Sequence, residues 1–491
     1  MIEARNHQHR LILQKIAHRV MLERGLQPDF PPQAIAELNK ITSPAHITNK
    51  TTRDLRKLIW CSIDNNDSRD LDQLTYAEQL PGGDVKIYVA IADVDALVKR
   101  QTALDEHARL NTTSVYTAGE IFPMLPEKLS TDFTSLGFED ERMAVVIEMV
   151  VAKDGSVKDS DIYSAMVRNY AKLAYQKVAN WLDGIGEIPG SIRMVKHLEE
   201  NVKLQDLTAQ RLKELRHTHG ALNLETLKAT PVFVDDQITD LVDDKTNRAK
   251  DIIADFMIAA NGVSARYLAA RQFPSLRRVV RTPKRWERIV ELAAEHKFKL
   301  PVEPDSIALN KFLMSARAAD PERFPDLSLS VIKLMGPGEY VVFVPGEDSI
   351  GHFGLAVKDY THSTAPNRRF PDIITQRLLK AAIAGKANPY TTDELQAIAL
   401  HCTKAADDVN KVERQVDKSA AAILLESRIG QKFDGVVTGA AEKGTYVRIF
   451  HPPVEGRIVS GSTGIDVGNR VRVQLVSTDV EQGYIDFRKS N

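Results

Sequence analysis

The C-terminal end of the chain constrains the fold most. From Gly430 onward, glycines cut the sequence into short alternating runs, "GQKFDGVVTGAAEKGTYVRIFHPPVEGRIV" and "GNRVRVQLVSTDVEQGYIDF". Five such strands in about 60 residues suit a small closed barrel better than a sandwich. The texture before this point differs, so a boundary near residue 429 is expected.

Upstream, β patterns come first and helical patterns follow. From about Lys57 to Met166 the signal is mostly β. "VKIYVAIADV" alternates, and "AVVIEMVVAKDGSVKDSDIYSAMV" reads as two strands around an Asp-Gly turn. Helices are then expected in "YAKLAYQKVANWLDG", closing on Gly184, and in "RFPDIITQRLLKAAIAG", stopping on Gly385. Between them "NRAKDIIADFMIAANGVSARYLAARQ" should run for about seven turns. A long helical pattern starts at the cap residue Thr392 and heads for Arg428, with room for one break. The spacing of Ile12, Leu13, Ile16, Val20 and Met21 predicts an N-terminal helix over about Glu3 to Arg24, and "PPQAIAELNKI" a second, short one. No basic recognition helix is visible there, which favours a helical extension over half of a DNA-binding domain. The expected fold class is α+β.

With 491 residues, 43% of them hydrophobic, the chain can bury a large core spread over two to four domains. A formal net charge of −1 provides no global field for nucleic acid, so any anionic partner must be held by local patches. Cys61 and Cys402 lie far apart and read as buried thiols in a reducing compartment. The N-terminus lacks the apolar core of a signal peptide, and the run "MAVVIEMVVA" is too short to span a bilayer and carries Glu148. A soluble, cytoplasmic protein without a membrane partner is expected.

The stretch "WCSIDNNDSRDLDQLTYAE" holds Asp64, Asp67, Asp70 and Asp72, with Arg69 alone to balance them. Asp64 sits where a strand leaves a sheet. Asp70 and Asp72 are two apart, so in extended geometry both project to one side, and a loop can fold Asp64 back beside them. Three converging carboxylates would repel one another by several kcal/mol at low effective dielectric. Mg²⁺ or Mn²⁺ would remove that repulsion, since hard cations prefer oxygen ligands. On spacing alone, a solvated acidic loop fits as well. Asp67 reads as a turn or cap residue.

Arg368 and Arg369 precede a helix beginning near Pro371, a position suited to bidentate binding of phosphate. Pairing with Asp359 or Asp372 is the alternative. His352 and His362 read as hydrogen-bonded structural histidines. A basic run from Arg266 to Lys299, including Arg271, Arg277, Arg278, Arg281, Lys284, Arg285 and Arg288, could follow a phosphate backbone. It could equally be a solvated face pairing with Glu287 and Glu291. For Tyr116 and Tyr175 core packing is the default and base stacking the second reading. Together these features support a metal-dependent enzyme acting on phosphates.

Five phrases in one colinear order, over about Leu58 to Gly385, resemble the catalytic domain of the ribonuclease II and ribonuclease R family of exoribonucleases. They are "IDNNDSRDLD", "VAIADV", "SVYTAGEIFPMLPEKLS", "MIAAN" and "HFGLAVKDYTHSTAPNRRFPD", the last similar to a family signature ending "TSPIRRYPD". The resemblance implies a short helical extension over 1–56 in place of the usual cold-shock domains. A β-sheet core ringed by helices around an RNA channel would occupy 57–388, a completing helical segment 389–428, and an OB-fold RNA-binding domain of the S-one type 429–491. It further implies that Asp64, Asp70 and Asp72 hold metal, with Arg368 on the scissile phosphate and Arg369 among the RNA contacts. Tyr116 would stack near the 3′-terminal nucleotides, and Tyr175 would line the deep end of the channel. Asp255 falls where the family carries an RNA-contacting glutamate, and Leu224 where an aromatic is expected. The implied reaction is hydrolysis of single-stranded RNA from the 3′ end, releasing nucleoside 5′-monophosphates with Mg²⁺ or Mn²⁺. One departure matters most. Gln73 stands where a second adjacent aspartate is usual, so it would bind metal without charge. A protein that holds RNA without cutting it is therefore the alternative. A phosphodiesterase acting on DNA or a small nucleotide is disfavoured by the terminal barrel.

Overall fold

The computed structural model describes residues 9–47, 51–225, 229–243, 246–441, 444–465 and 469–490. The β-rich stretch forms one sheet whose order in space, beginning with the short strand Arg53–Asp54, is Arg53–Asp54, Val157–Ala174, Trp60–Asp64, Gln73–Gln79, Val85–Ala92, Glu141–Val151. Its longest member, the 18-residue strand Val157–Ala174, has two partners. The first part pairs antiparallel with Glu141–Val151, and the last residues run parallel to Trp60–Asp64, with Asp64 opposite Ala174. The sheet thereby returns on itself. Helix Tyr175–Leu182 starts directly after this strand.

This corrects the expectation that "YAKLA" opens a helix. Val167, Asn169, Ala171 and Leu173 are buried, while the residues between them are partly exposed. That period of two belongs to a strand, and pairing with Trp60–Asp64 overrides the local helical propensity of Ala, Lys and Leu.

Helices cover the sheet. Arg248–Ala270, capped by the Asn247 side chain, sends Phe256, Ala260, Val263 and Leu268 into the main core. Leu198–Thr218 packs beside it, and Phe370–Ile383 is buried on most of its faces. A separate apolar cluster, with Leu222, Trp286, Phe312 and Phe324, is built from helices Trp286–Glu295, Ser306–Ala319 and Phe324–Met335. The sequence pattern there showed only a basic run.

The last helix, Thr392–Glu426, runs unbroken for 35 residues from a capping box formed by Thr391 and Glu394. Its first half (Leu395, Ala399, Cys402) joins the main core. Its second half (Val409 to Leu425) joins another, shared with helix His9–Glu23 and the C-terminal barrel. That barrel is closed, in the order Lys432–Ala441, Gly444–Ile449, Val454–Ser460, Tyr484–Lys489, Arg470–Asp479, with Val454–Ser460 and Tyr484–Lys489 parallel. The five expected strands and their closure are both present. The N-terminal segment holds helices His9–Glu23 and Pro32–Lys40, and residues 3–8 of the expected first helix lie outside the described residues.

Both cysteines are buried and unpaired, and burial pushes the Cys61 thiol to about 11 and that of Cys402 to about 12. Among the described residues no helix is long and apolar enough to cross a membrane.

Candidate active site

Asp64 ends its strand, and its Oδ1 accepts from the Asn65 amide (2.7 Å) and the Ser68 hydroxyl (2.9 Å). These bonds turn the chain out of the sheet. Asp67 lies exposed on the turn. The return limb is pinned by a neighbouring segment. Leu71 donates to the Ser135 hydroxyl (3.0 Å), which donates to the Arg69 carbonyl (2.7 Å), and Leu136 donates to the Leu71 carbonyl (2.9 Å).

The pinning carries Asp72 into the interior, where it is 1% exposed. Its Oδ1 accepts from the backbone N–H of Asn367 and its Oδ2 from the Nε of Arg368, each at 2.9 Å. Burial pushes the Asp72 carboxyl up, Arg368 opposes the shift and Asp70 adds to it, leaving it at about 7. Asp70 is also raised, by burial first and then by the Asp64 carboxylate, while Arg368 and the Tyr116 hydroxyl, 3.3 Å away, pull it back. The three carboxylates therefore act on one another through space.

Arg368 sits on a buried loop before helix Phe370–Ile383. Its carbonyl accepts from Ser114 N–H (3.0 Å) and the Thr113 hydroxyl (2.9 Å). The preceding residue, Asn367, accepts the Thr134 hydroxyl at 2.6 Å. Residues 134–136 thus hold the acidic loop and the arginine loop together. Arg368 spends only Nε on Asp72, and its side chain remains 42% exposed. Among the described residues neither terminal nitrogen has a hydrogen-bond partner, so both can take an anion. Burial works against the Arg368 charge, but Asp72 and then Tyr116 outweigh it and hold the pKa above its ordinary value.

Tyr116 and Tyr175 flank this group. Tyr116 lies on a hairpin of Val115–Tyr116 and Ile121–Phe122, its N–H donating to Glu413 of the long helix (2.9 Å). Tyr175 lies at the start of its helix, within electrostatic reach of Asp64 and Arg368. Burial, then the nearby carboxylates, raise both phenols. Gln73 opens its strand opposite Ile91, is 6% exposed, and bonds no described residue through its side-chain amide.

Other expected residues stand elsewhere. Arg369 donates through Nη2 to the buried Asp372 (2.9 Å). Asp255 is buried in an ion pair with Arg216, and Leu224 packs against the separate apolar cluster. His362 Nδ1 lies 2.7 Å from the Tyr340 hydroxyl and His352 Nδ1 accepts from Leu355 N–H (3.2 Å); burial lowers both, His352 to about 4. The basic run is not one surface either. Arg277 is buried, Arg281 pairs with Glu339, and Arg288 pairs with Glu291. Sequence reasoning missed Asn367, Thr134, Ser135 and Glu413. For Asn367 the signal was an amide beside Arg368 where the family signature carries isoleucine.

Among the described residues no three His, Cys, Asp or Glu side chains form a ready ligand set for a metal. Asp64, Asp70 and Asp72 nevertheless lie within electrostatic reach of one another. In this arrangement Asp72 spends both oxygens on Asn367 and Arg368, and Asp64 spends one on its own turn. The donor chemistry still fits a hard cation. The three carboxylates and the Gln73 amide offer only oxygen, and burial plus mutual repulsion raise Asp70 and Asp72. Mg²⁺ takes one or two carboxylates and completes its shell with water and substrate phosphate.

One buried and two half-buried carboxylates, an arginine held through Nε and two tyrosines thus gather at one place in the fold. The chain belongs to the RNB family. Residues 52–385 match the RNB domain, and residues 431–490 match the RNase II-type exonuclease C-terminal S1 domain. Ribonuclease R of Escherichia coli (strain K12) is 29% identical over 473 residues, which cover 88% of this chain and 57% of that protein. The chain thus spans little more than half of that relative's length. The fold matches a solved structure of Mycoplasma genitalium RNase R in complex with ribose-methylated single-stranded RNA. The TM-score is 0.86 at 22% identity, covering 96% of this chain and 77% of the other. It also matches yeast Ssd1, described as a pseudonuclease, with a TM-score of 0.66 at 15% identity, covering 85% and 52%. The fold alone therefore does not decide activity.

Proposed function

We propose that this protein is a hydrolytic 3′-to-5′ exoribonuclease that shortens single-stranded RNA to nucleoside 5′-monophosphates with the help of divalent metal. The observation that carries the reading is Arg368, anchored through Nε to buried Asp72 with both terminal nitrogens free. That geometry seats non-bridging phosphate oxygens on Arg368 and stabilises the charge that grows on them in the transition state. Asp72 fixes the guanidinium plane, and Asn367 fixes Asp72. Tyr116 and Tyr175 confine the last nucleotides, Tyr116 also holding Asp70 through its hydroxyl. Asp64, Asp70, Asp72 and Gln73 would hold Mg²⁺ or Mn²⁺, which when bound neutralises phosphate oxygens and acidifies water. Affinity for RNA rests on phosphates and stacking, so it should fall with salt and depend little on sequence.

A second reading, a protein that holds RNA without cutting it, is favoured by Gln73, a neutral oxygen donor beside Asp72. One assay separates the two. End-labelled RNA and DNA of one sequence are incubated with wild type, Asp72→Asn and Gln73→Asp across Mg²⁺ and Mn²⁺ titrations. The expected result is RNA-only ladders shortening from the 3′ end, loss of cleavage in Asp72→Asn, and a lower metal requirement in Gln73→Asp. If wild type and Asp72→Asn are equally inert at every metal concentration, the nuclease reading fails. RNA retained uncut would then establish the binding protein.

A further inference from the structure

Two arginines of the basic run have no role in the site above. Arg277, on strand Ser275–Val279, is 2% exposed. Its Nη2 donates to the Ala265 carbonyl (2.8 Å) and its guanidinium lies 4.6 Å from the Phe343 ring centre, but Nε and Nη1 are buried with no partner among the described residues. Guanidinium keeps its proton at neutral pH, so burial leaves a charge that calls for an anion. Burial lowers the Arg277 pKa to about 10, with Asp359 opposing and Arg266 adding. Arg266, next in sequence to Ala265, is exposed and forms no hydrogen bond or ion pair with a described residue.

Arg266 reaches a cavity of about 350 Å³, with Arg216, His219, Asp255, Lys358 and Asp359 also in its walls. No wall residue belongs to the carboxylate site. Asp255 is already neutralised by Arg216. Asp359 is then the one wall carboxylate left to balance Arg266, Lys358 and the buried Arg277. Gly262 keeps the helix face open, since a Cβ there would lie 3.2 Å from Nη1 of Arg266.

We infer that this cavity binds a phosphate-bearing ligand, its phosphate seated on Arg266 with the charge of Arg277 behind it. The free fork of Arg266 supplies paired donors, and the buried charge of Arg277 strengthens the attraction because little solvent screens it. A mononucleotide and a stretch of RNA backbone share this chemistry. The site stands whether or not the nuclease reading holds, since it uses none of the residues placed above on the phosphate or the metal; Asp255, expected among the RNA contacts, is a wall of the cavity already paired with Arg216.

The test is calorimetric titration of the full chain with inorganic phosphate, AMP and a short 2′-O-methyl RNA. An Arg368→Ala background removes the catalytic phosphate contact. Arg266→Ser should weaken binding at least tenfold, Arg266→Lys should retain part of it, and Arg277→Met should weaken it several-fold. Arg277→Met should also raise the melting temperature in phosphate-free buffer, because an uncompensated buried charge is gone. Loss confined to phosphate and AMP identifies a mononucleotide site, and loss confined to the oligomer identifies a grip on RNA backbone. If none of the three ligands binds, or binding is unchanged in Arg266→Ser, the inference is overturned. Arg266 is exposed, so its substitution carries the test even if Arg277→Met misfolds.

Discussion

Asp72 should make the metal-free protein less stable as the pH rises. Its carboxyl ionises near 3.8 in the unfolded chain and at about 7 in the folded one. Between these values the folded state holds the extra proton, so the free energy of unfolding falls with increasing pH. The penalty is absent below pH 4 and complete above pH 7. Three pH units at ~1.36 kcal/mol each set an upper bound of ~4 kcal/mol. Relaxation around the buried pair should reduce this to ~2–4 kcal/mol. Asp72→Asn removes the titration. The Asn carbonyl can still accept from Asn367, but its amide faces Arg368, so the variant starts ~1–2 kcal/mol lower at acidic pH. The diagnostic is thus the slope rather than the absolute stability. All three tryptophans, Trp60, Trp181 and Trp286, precede the barrel, so their fluorescence follows unfolding of the catalytic region alone. Urea midpoints would be measured from pH 5 to 8.5 in EDTA. Wild type should lose stability across this range and Asp72→Asn should lose clearly less. Mg²⁺ at pH 8 should restore wild type more than the variant. Parallel profiles for the two proteins would refute the argument that Asp72 is held against its charge.

Other substitutions probe the supports of the site. Thr134→Val leaves the buried Asn367 carbonyl without its donor, which should cost about 1–3 kcal/mol in melting experiments and lower kcat several-fold; Thr134→Ser should restore both. A Cβ on Gly119 would lie 2.7 Å from the Gln14 nitrogen and 2.8 Å from the Leu13 carbonyl carbon. Gly119→Ala should therefore cost ~1–3 kcal/mol and slow RNA shortening by displacing Tyr116. Gly439→Ala, whose nearest contact is an ordinary 3.6 Å, should leave both unchanged. Tyr116→Phe should keep most activity in a single-turnover assay, whereas Tyr116→Ala should lose about 5- to 150-fold, the size of a lost stacking contact of ~1–3 kcal/mol.

The parts of this molecule that were legible in the sequence are those with a strong local signal. The glycine-cut strands after Gly430 and the apolar period of Arg248–Ala270 each specify their element without help from distant residues; the long helix was legible too, although its cap is Thr391 and not the expected Thr392. The acidic loop was legible as a cluster of carboxylates, because no core packing explains four aspartates. Its actual wiring was not, since Asp72 bonds to residues almost three hundred positions away. Asn367 and Thr134 look like ordinary loop residues until the fold joins them. The strand character of "YAKLA" was hidden for the same reason: only pairing with Trp60–Asp64 distinguishes it from a helix start. The basic run misled because charge in a sequence does not reveal burial, and Arg277 ends up in the interior.

The shared core of helix His9–Glu23, the far half of Thr392–Glu426 and the barrel bears on how such a protein can be divided. The texture of the sequence changes at residue 429, but the apolar seam does not respect that point. Val416, Ala420 and Leu425 lie before it and pack with Val437, Val447 and Phe487 beyond it. Leu13, Ile16 and Val20, some four hundred residues earlier, complete the same core. Excising the barrel at residue 429 would strip both pieces of a hydrophobic face and leave two aggregation-prone fragments. Recombination faces the same constraint. A barrel exchanged between relatives would have to bring along the helix half and the N-terminal helix that it was selected to fit.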